Sequence, residues 1–404
     1  MALALITASP VWGQEVNLGR PQIADDRVKL RVQVRDDDGR PVMQLQENQF
    51  EVLVNGEPIS VENWRSPEES QPPPAWIVVL LDYTGSMRQK DAGGQTRIDS
   101  AISAIRRFLA DTQNRGGETR VAIVPFGVGR GECEGREVTR DKISTRFFGP
   151  SDVRQESMLN HLESDIPCAS TDIYGPMNEA VRLLANRENE DFYLPEDSSD
   201  PEPRLSVILL SDGYHNLDNR ERDFENLMTL LNRENHITVH TLGYGYTQEQ
   251  LGEMFNLGKP ATLEDVQTSS EPDNPIPADL FVEEEPLQKM SEATGGIAEF
   301  SGDEDEISQA LRLFLDALLG EYELSYPENA DRGEIREVQV DVKLDNEEVS
   351  SNLQSYTVPV FGRSLPLGTR LTMTGFLLIL LGFGGVLPFY LWSQKLKRDA
   401  DEDF

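Results

Sequence analysis

Basic residues are scarce in this sequence of 404 residues. Lys and Arg number 37 against 71 Asp and Glu, which gives a formal net charge of −34 at pH 7. This balance argues against a nucleic acid partner, because the phosphate backbone would be repelled. The excess of carboxylates fits an ectodomain that attracts divalent cations, although most of these charges serve solubility alone.

Long apolar runs are confined to the two ends of the chain. The first 13 residues resemble the apolar region of a signal peptide but lack its basic start, so we expect residues 1–14 to be a truncated signal peptide. Leu371 to Trp392 carries no charge and is long enough to cross a bilayer, which needs ~20 residues. Lys395 and Lys397 follow it, and we expect residues 393–404 to form a cytoplasmic tail. The sequence thus predicts a single-pass membrane protein whose bulk is extracytoplasmic, either periplasmic or extracellular.

Cysteine is nearly absent. Cys133 and Cys168 form no CxxC pair, which argues against a zinc site. An even number of cysteines in a chain with export features allows one disulfide. Because both residues fall near the candidate site described below, we expect a bond between Cys133 and Cys168 rather than two free thiols.

The rest of the chain divides into two kinds of pattern. Residues 16–66 and 321–361 read as short strands and turns. Residues 75–320 alternate between strands and helices, which predicts a doubly wound, Rossmann-like α/β domain with a parallel sheet. We expect the two flanks to pair into one small antiparallel β-sandwich, into which the α/β domain is inserted. Two acidic stretches with prolines, Glu188 to Pro203 and Glu264 to Pro286, are predicted to be surface loops.

A fully apolar run from Trp76 to Leu81 predicts a strand buried on both faces. Oxygen-bearing side chains follow it at once, and two later segments bring more to the start of a helix or the end of a strand. These three segments are Asp82-Tyr83-Thr84-Gly85-Ser86, Ser170-Thr171-Asp172 and Ser211-Asp212-Gly213. Open α/β sheets bind ligands at the carboxyl ends of their strands, so the three segments predict a site for a hard cation.

The order and placement of these segments resemble a von Willebrand factor type A (VWA) domain of the bacterial membrane-anchored kind. That family carries a metal-ion-dependent adhesion site built from D-x-S-x-S, a downstream Thr and a later Asp. The resemblance implies that the metal site consists of Asp82, Thr84, Ser86, Thr171 and Asp212. This sequence departs from the family pattern because Thr84 stands in place of the first Ser.

The resemblance also implies a mechanism. Mg²⁺ (or Mn²⁺) would be bound directly by the three hydroxyls, while Asp82 and Asp212 would act through water. One open coordination position would accept a carboxylate from a partner protein. The predicted function is therefore metal-dependent protein–protein binding, in adhesion or envelope assembly, without enzymatic activity.

Other functions fit parts of the same pattern. The run D-Y-T-G-S also resembles the D-K-T-G motif of P-type ATPases and related phosphatases, in which Asp82 would be the nucleophile of a metal-dependent phosphatase or hydrolase. That interpretation leaves Thr171 without a role and lacks the usual Lys, because Tyr83 occupies its position. A triad of Ser86, His215 and Asp212 is another arrangement, but Asp212 is better used at a metal. A metal-free structural scaffold is the third alternative.

Overall fold

The computed structural model describes residues 14–402 apart from 25–26, 92, 130, 196–197, 199, 212–214, 216–218, 268–270, 278–279, 332, 345–346, 359–366, 382 and 385–386. The signal peptide predicted at 1–14 therefore falls almost wholly outside the described residues, and so does Asp212 of the predicted metal site.

The strands are β1 (Glu15–Leu18), β2 (Gln22–Ala24), β3 (Arg27–Arg35), β4 (Phe50–Val54), β5 (Glu57–Ile59), β6 (Asn63–Arg65), β7 (Ala75–Asp82), β8 (Thr119–Phe126), β9 (Arg204–Ser211), β10 (Thr238–Tyr244), β11 (Ala298–Ser301), β12 (Tyr322–Pro327), β13 (Ile335–Leu344), β14 (Glu347–Ser350) and β15 (Gln354–Thr357). The α-helices are α1 (Arg97–Arg115), α2 (Arg140–Ser144), α3 (Val153–Ser164), α4 (Tyr174–Leu184), α5 (Arg220–Arg233), α6 (Gln248–Met254), α7 (Glu284–Glu292), α8 (Glu304–Leu319), α9 (Leu367–Leu381) and α10 (Leu387–Glu402).

Five strands form a parallel sheet in the order β11-β10-β9-β7-β8. The apolar run of the sequence is β7, an inner strand between β9 and β8, and it is buried because helices cover both faces of the sheet. Ile77, Val79 and Leu81 pack towards α1, α3 and α8. Val78 and Leu80 point the other way, into a second core with α2, α4, α5 and α7. The carboxyl end of β7 is thereby fixed between two packed layers.

Two antiparallel sheets lie outside this unit. One has the order β1-β3-β12-β6, with β2 also paired to β3, and the other has the order β14-β13-β4-β5, with β15 also paired to β13. Alternate residues along β3 and β13 are buried, and the inner faces of the two sheets share one apolar core. Strands from before and after the α/β unit stand side by side in both sheets, as in the pairs β3–β12 and β4–β13.

A buried ion cluster joins the antiparallel sheets to the parallel sheet. Glu321, which precedes β12, is only 1% exposed. Its carboxylate pairs with Arg31 of β3 at 3.5 Å and also with Arg204 of β9. The hydroxyl of Ser70 donates to the backbone carbonyl of Glu321 at 2.9 Å. The two parts of the molecule are therefore held together by charge as well as by packing.

The predicted transmembrane helix is wrong. The apolar stretch is divided between α9, which has 15 residues, and α10, which has 16 and ends in a charged segment. Within the described ranges, no helix is both long and apolar enough to cross a membrane. The sequence at 382–388 has glycines at 382, 384 and 385 and a proline at 388, residues with a low helix propensity.

Because the transmembrane helix is wrong, the predicted fold class and the predicted localisation are corrected as well. The fold class is corrected from a doubly wound VWA domain with a β-sandwich and a transmembrane helix to a mixed α/β fold, made of one parallel sheet with helices and two antiparallel sheets. The predicted localisation as a single-pass membrane protein is also wrong, since it depended on the span at 371–392.

The stretch between β10 and α7 carries structure that the sequence pattern does not reveal. It contains α6, and its side chains form a small apolar core of their own. The buried members of that core are Leu251, Ala261, Val266, Ile276 and Phe281. These residues are separated by prolines and acidic residues, so they show no helical or strand period, and much of the stretch was predicted to be a surface loop.

Candidate functional site

Asp82 is the last residue of β7 and is held rigidly. It is 0% exposed. One carboxylate oxygen, Oδ1, accepts the backbone N–H of Thr84 at 3.1 Å, and the other, Oδ2, accepts the hydroxyl of Ser211 at 2.6 Å. Ser211 ends the neighbouring strand β9, so the carboxyl ends of the two strands are tied together through this carboxylate.

Three hydroxyl groups meet just beyond Asp82. The Oγ1 of Thr84 lies 3.2 Å from the Oγ of Ser86 and 3.2 Å from the Oγ1 of Thr171. We refer to Thr84, Ser86 and Thr171 as the hydroxyl cluster. Thr84 and Thr171 are buried, and Ser86 is half-buried in a short 3₁₀ turn, Gly85–Arg88. The structure therefore brings together three of the predicted ligands, one of which comes from a distant part of the chain.

Thr171 reaches the cluster because the residues before it are paired on both sides. The N–H of Gly85 donates to the carbonyl of Ala169 at 3.0 Å on the side of the first motif. Ser170 exchanges two backbone hydrogen bonds with Val128 on the other side, at 2.8 and 2.9 Å. The chain then turns into α4 after Thr171.

The predicted disulfide between Cys133 and Cys168 is confirmed. It joins the segment that leads to Thr171 to the loop that follows β8. The bond therefore lies three residues from a member of the hydroxyl cluster.

The donor set fits a hard cation. In octahedral coordination at about 2.1 Å from the ion, neighbouring ligand oxygens lie about 3 Å apart. The two separations of 3.2 Å in the hydroxyl cluster are close to that spacing. Neutral hydroxyl oxygens are ligands that Mg²⁺ and Mn²⁺ accept. The described ranges contain no group of three or more His, Cys, Asp and Glu side chains that could bind a metal, so a site here would depend on hydroxyls.

Ser211 belongs to the candidate site, although the motif pattern assigns it no role. Its hydroxyl bonds to Asp82, so it acts on the carboxylate of the first motif. The signal in the sequence is a hydroxyl directly after the apolar run Val207 to Leu210, a position where a buried polar group needs a partner.

His215 lies beside the start of α4. Its Nδ1 accepts the N–H of Ile173 at 3.3 Å, and its ring stacks on Tyr174 with centroids 4.3 Å apart. Burial lowers the pKa of His215, and the side chain is neutral above that lowered value. It makes no hydrogen bond to Ser86 in the described part of the chain, so the arrangement does not form the triad considered above.

A cleft of about 920 Å³ opens next to the hydroxyl cluster. It is bordered by the loop after β8, by α4 and by α5. Its lining includes Asp172, the residue after Thr171. Its charged lining is mixed: Arg136, Arg182 and Arg233 face the same space as Glu137, Glu179 and Asp223.

No protein-family model and no curated protein matches the chain. Among solved structures, the pilus adhesin SpaC from Lactobacillus rhamnosus GG is similar with a TM-score of 0.39 and 11% identity. The match covers 88% of this chain and 51% of the adhesin, so the chain spans about half the length of that protein. A similarity at this TM-score carries no argument about fold or function.

Proposed function

We propose that this chain is a binding protein of the VWA type. Its hydroxyl cluster would hold Mg²⁺ or Mn²⁺ and present the ion to a carboxylate of a partner protein. The observation that carries the proposal is the convergence of Thr84, Ser86 and Thr171 at 3.2 Å spacings, beyond the carboxyl end of strand β7.

The charge balance of the site supports binding through the ion. Three neutral hydroxyls leave the charge of a divalent cation largely uncompensated, which favours capture of an outside carboxylate. Asp82 is hydrogen-bonded through both oxygens, so it can orient Thr84 and bound water from behind the hydroxyls. Asp212, which lies outside the described residues, would be the second such carboxylate.

The same contacts weigh against Asp82 as the nucleophile of a phosphatase. A nucleophilic carboxylate needs an oxygen that the substrate phosphorus can approach. Here Asp82 is fully buried, and its oxygens accept hydrogen bonds from the backbone of Thr84 and the hydroxyl of Ser211. We therefore place Asp82 in support of the hydroxyl cluster.

Metal titration tests the proposal directly. The full chain, stripped with EDTA, is titrated with Mg²⁺ and with Mn²⁺ by calorimetry. We expect binding at one site in the wild type and its loss in Thr171→Ala. Thr145→Ala removes an exposed hydroxyl elsewhere and is the matched control. Equal metal binding by wild type and Thr171→Ala would reject the hydroxyl cluster as the site.

Partner binding is tested second. The wild-type chain and Thr171→Ala are used as baits in cross-linking experiments, each with and without EDTA. We expect partners that bind the wild type only in the absence of EDTA and never bind Thr171→Ala. Capture that is unaffected by EDTA and by the substitution would favour the metal-free scaffold. Phosphate release that disappears in Asp82→Asn would favour the enzyme.

A further inference from the structure

The loop that follows β8 is closed at its base by backbone hydrogen bonds. We call residues 127–137 the clamp loop. The N–H of Gly127 donates to the carbonyl of Arg136 at 3.3 Å, and the N–H of Arg136 donates back to Gly127 at 2.7 Å. A Cβ atom at Gly135 would lie 2.5 Å from the backbone nitrogen of Gly129, so the two sides of the loop approach more closely than a side chain allows.

The clamp loop holds the segment that carries Thr171. Val128 and Ser170 exchange two backbone hydrogen bonds, and Cys133 is bonded to Cys168. Ser170 directly precedes Thr171 in the chain. The segment that leads to Thr171 is therefore held at two points, by a covalent bond at Cys168 and by a pair of hydrogen bonds at Ser170.

The same loop also holds the first motif. The guanidinium of Arg136 lies over the ring of Tyr83, 4.5 Å from its centroid, and pairs with Asp165 at 2.5 Å. Tyr83 stands between Asp82 and Thr84 in the chain, and its hydroxyl donates to the carbonyl of Leu162 at 2.7 Å.

We infer that the clamp loop positions the two halves of the hydroxyl cluster, and that the Cys133–Cys168 bond sets the affinity of the cluster for Mg²⁺. The inference rests on the proposed function. Thr84 and Thr171 belong to segments that are far apart in sequence, and each segment is held by the clamp loop, through Tyr83 on one side and Cys168 and Ser170 on the other. Opening the disulfide frees one end of that support and leaves the ligands themselves unchanged.

A dithiol reductant provides a reversible way to open the bond. Two electrons and two protons pass to the S–S bond, giving thiols at Cys133 and Cys168, while the dithiol becomes a cyclic disulfide. The affinity for Mg²⁺ should fall on reduction and recover on reoxidation, a reversal that a merely damaged protein would not show.

The experiment is a Mg²⁺ titration of the full chain in five forms: wild type, Cys133→Ser with Cys168→Ser, Arg136→Ala, Arg136→Lys, and Arg154→Ala as control. Arg154 is a matched control because it also lies over an aromatic ring, that of Phe148, and also pairs with an aspartate, Asp152. We expect the dissociation constant of the double serine variant to rise at least about tenfold, as for other residues that orient metal ligands. Arg136→Ala should weaken binding, Arg136→Lys should restore part of it, and Arg154→Ala should match wild type.

Circular dichroism of the metal-free proteins shows which variants are folded. A folded double serine variant with wild-type affinity overturns the inference while leaving the proposed function intact. If that variant does not fold, the Mg²⁺ affinities of Arg136→Ala and Arg154→Ala are compared instead. Equal affinities of these two variants overturn the inference. A wild-type protein that binds no Mg²⁺ overturns the proposed function and the inference together.

Discussion

The hydroxyl oxygens of Thr84 and Thr171 lie 3.2 Å apart, although the two residues are separated by 87 positions in the chain. Neither residue alone distinguishes a metal ligand from an ordinary polar side chain at the end of an element. Their contact brings two buried hydroxyls from different segments beside a third at the carboxyl end of β7, which is the arrangement that the proposed metal site requires.

Substitutions at Thr84 separate the role of its hydroxyl from that of its methyl group. Thr84→Val keeps the shape of the side chain and removes the oxygen, so we expect Mg²⁺ affinity to fall at least about tenfold. Thr84→Ser keeps the oxygen and should bind Mg²⁺ as tightly as wild type. Calorimetric titration of both variants provides the measurement. Loss of binding in Thr84→Ser would show that the methyl group matters more than the hydroxyl.

Ser211→Ala should destabilise the protein because it removes a hydrogen bond to the buried carboxylate of Asp82. We expect a cost of about 2 kcal/mol in the free energy of unfolding, within the range for leaving a buried acceptor short of a partner. Ser206→Ala, on the same strand, is the control, because the Ser206 hydroxyl is buried without a hydrogen-bond partner among the described residues. It should cost less than about 1 kcal/mol.

Urea unfolding monitored by fluorescence measures both variants. Equal costs for Ser211→Ala and Ser206→Ala would mean that the hydroxyl of Ser211 does not support Asp82.

Glu321→Gln tests the ion cluster between the antiparallel and parallel sheets. The substitution leaves Arg31 and Arg204 without the buried negative charge that they share. We expect a loss of about 3 kcal/mol in the free energy of unfolding, as for other broken buried pairs. Glu163→Gln breaks an exposed pair with Arg106 and should cost less than about 1 kcal/mol.

The same urea experiment compares these two variants. If Glu321→Gln is no more costly than Glu163→Gln, the cluster does not join the two parts of the molecule energetically.

His240 should make the fold less stable in mild acid. The side chain is fully buried in β10, its Nδ1 accepts the N–H of Ile297 at 3.1 Å, and its ring stacks on Phe314. Burial, with a smaller contribution from Arg35, lowers the pKa of His240 from 6.5 to about 3. Below pH 6.5, His240 therefore binds a proton in the unfolded chain but stays neutral in the folded protein. The free energy of unfolding consequently falls as the pH falls towards 3.

The expected loss from His240 between pH 7 and pH 5 is about 2 kcal/mol. His240→Gln should remove this part of the pH dependence, whereas His161→Gln, on the exposed face of α3, should keep it. Urea unfolding at pH 7 and pH 5 gives the difference. Identical pH dependence in wild type and His240→Gln would contradict the prediction.

Elements that are buried on two faces could be read from the sequence. The run from Trp76 to Leu81 predicts a strand, and β7 covers it, because six apolar residues in succession fit only a strand with cores on both sides. The boundaries of α4 were less accurate. The sequence predicts a helix from Thr171, but α4 begins at Tyr174, because Ser170 is paired with Val128 and Thr171 turns towards Thr84.

Contacts between distant segments could not be read from periodicity. The placement of Thr171 beside Thr84 was anticipated from the rule that open α/β sheets bind ligands at their strand ends and from the resemblance to VWA domains. Ser211 was seen as part of a motif, but its bond to Asp82 depends on the neighbouring positions of β7 and β9. The prediction for the C-terminal stretch failed for another reason: hydropathy sums over residues and does not register the low helix propensity of the glycines at 382, 384 and 385.

The pairing of β3 with β12 also sets the order in which the protein can be completed during synthesis. β3 is made about 290 residues before the strand that pairs with its other edge. At a synthesis rate of about 5 to 20 residues per second, β12 is made roughly 15 to 60 s after β3. During that time the edge of β3 that pairs with β12 has no partner. The parallel sheet, whose strands all lie between the two, is fully translated in that interval and can fold first. An unpaired strand edge at the N-terminal side is therefore exposed while the chain is still growing, and it is there that nascent chains of this protein would be most open to chaperones or to one another.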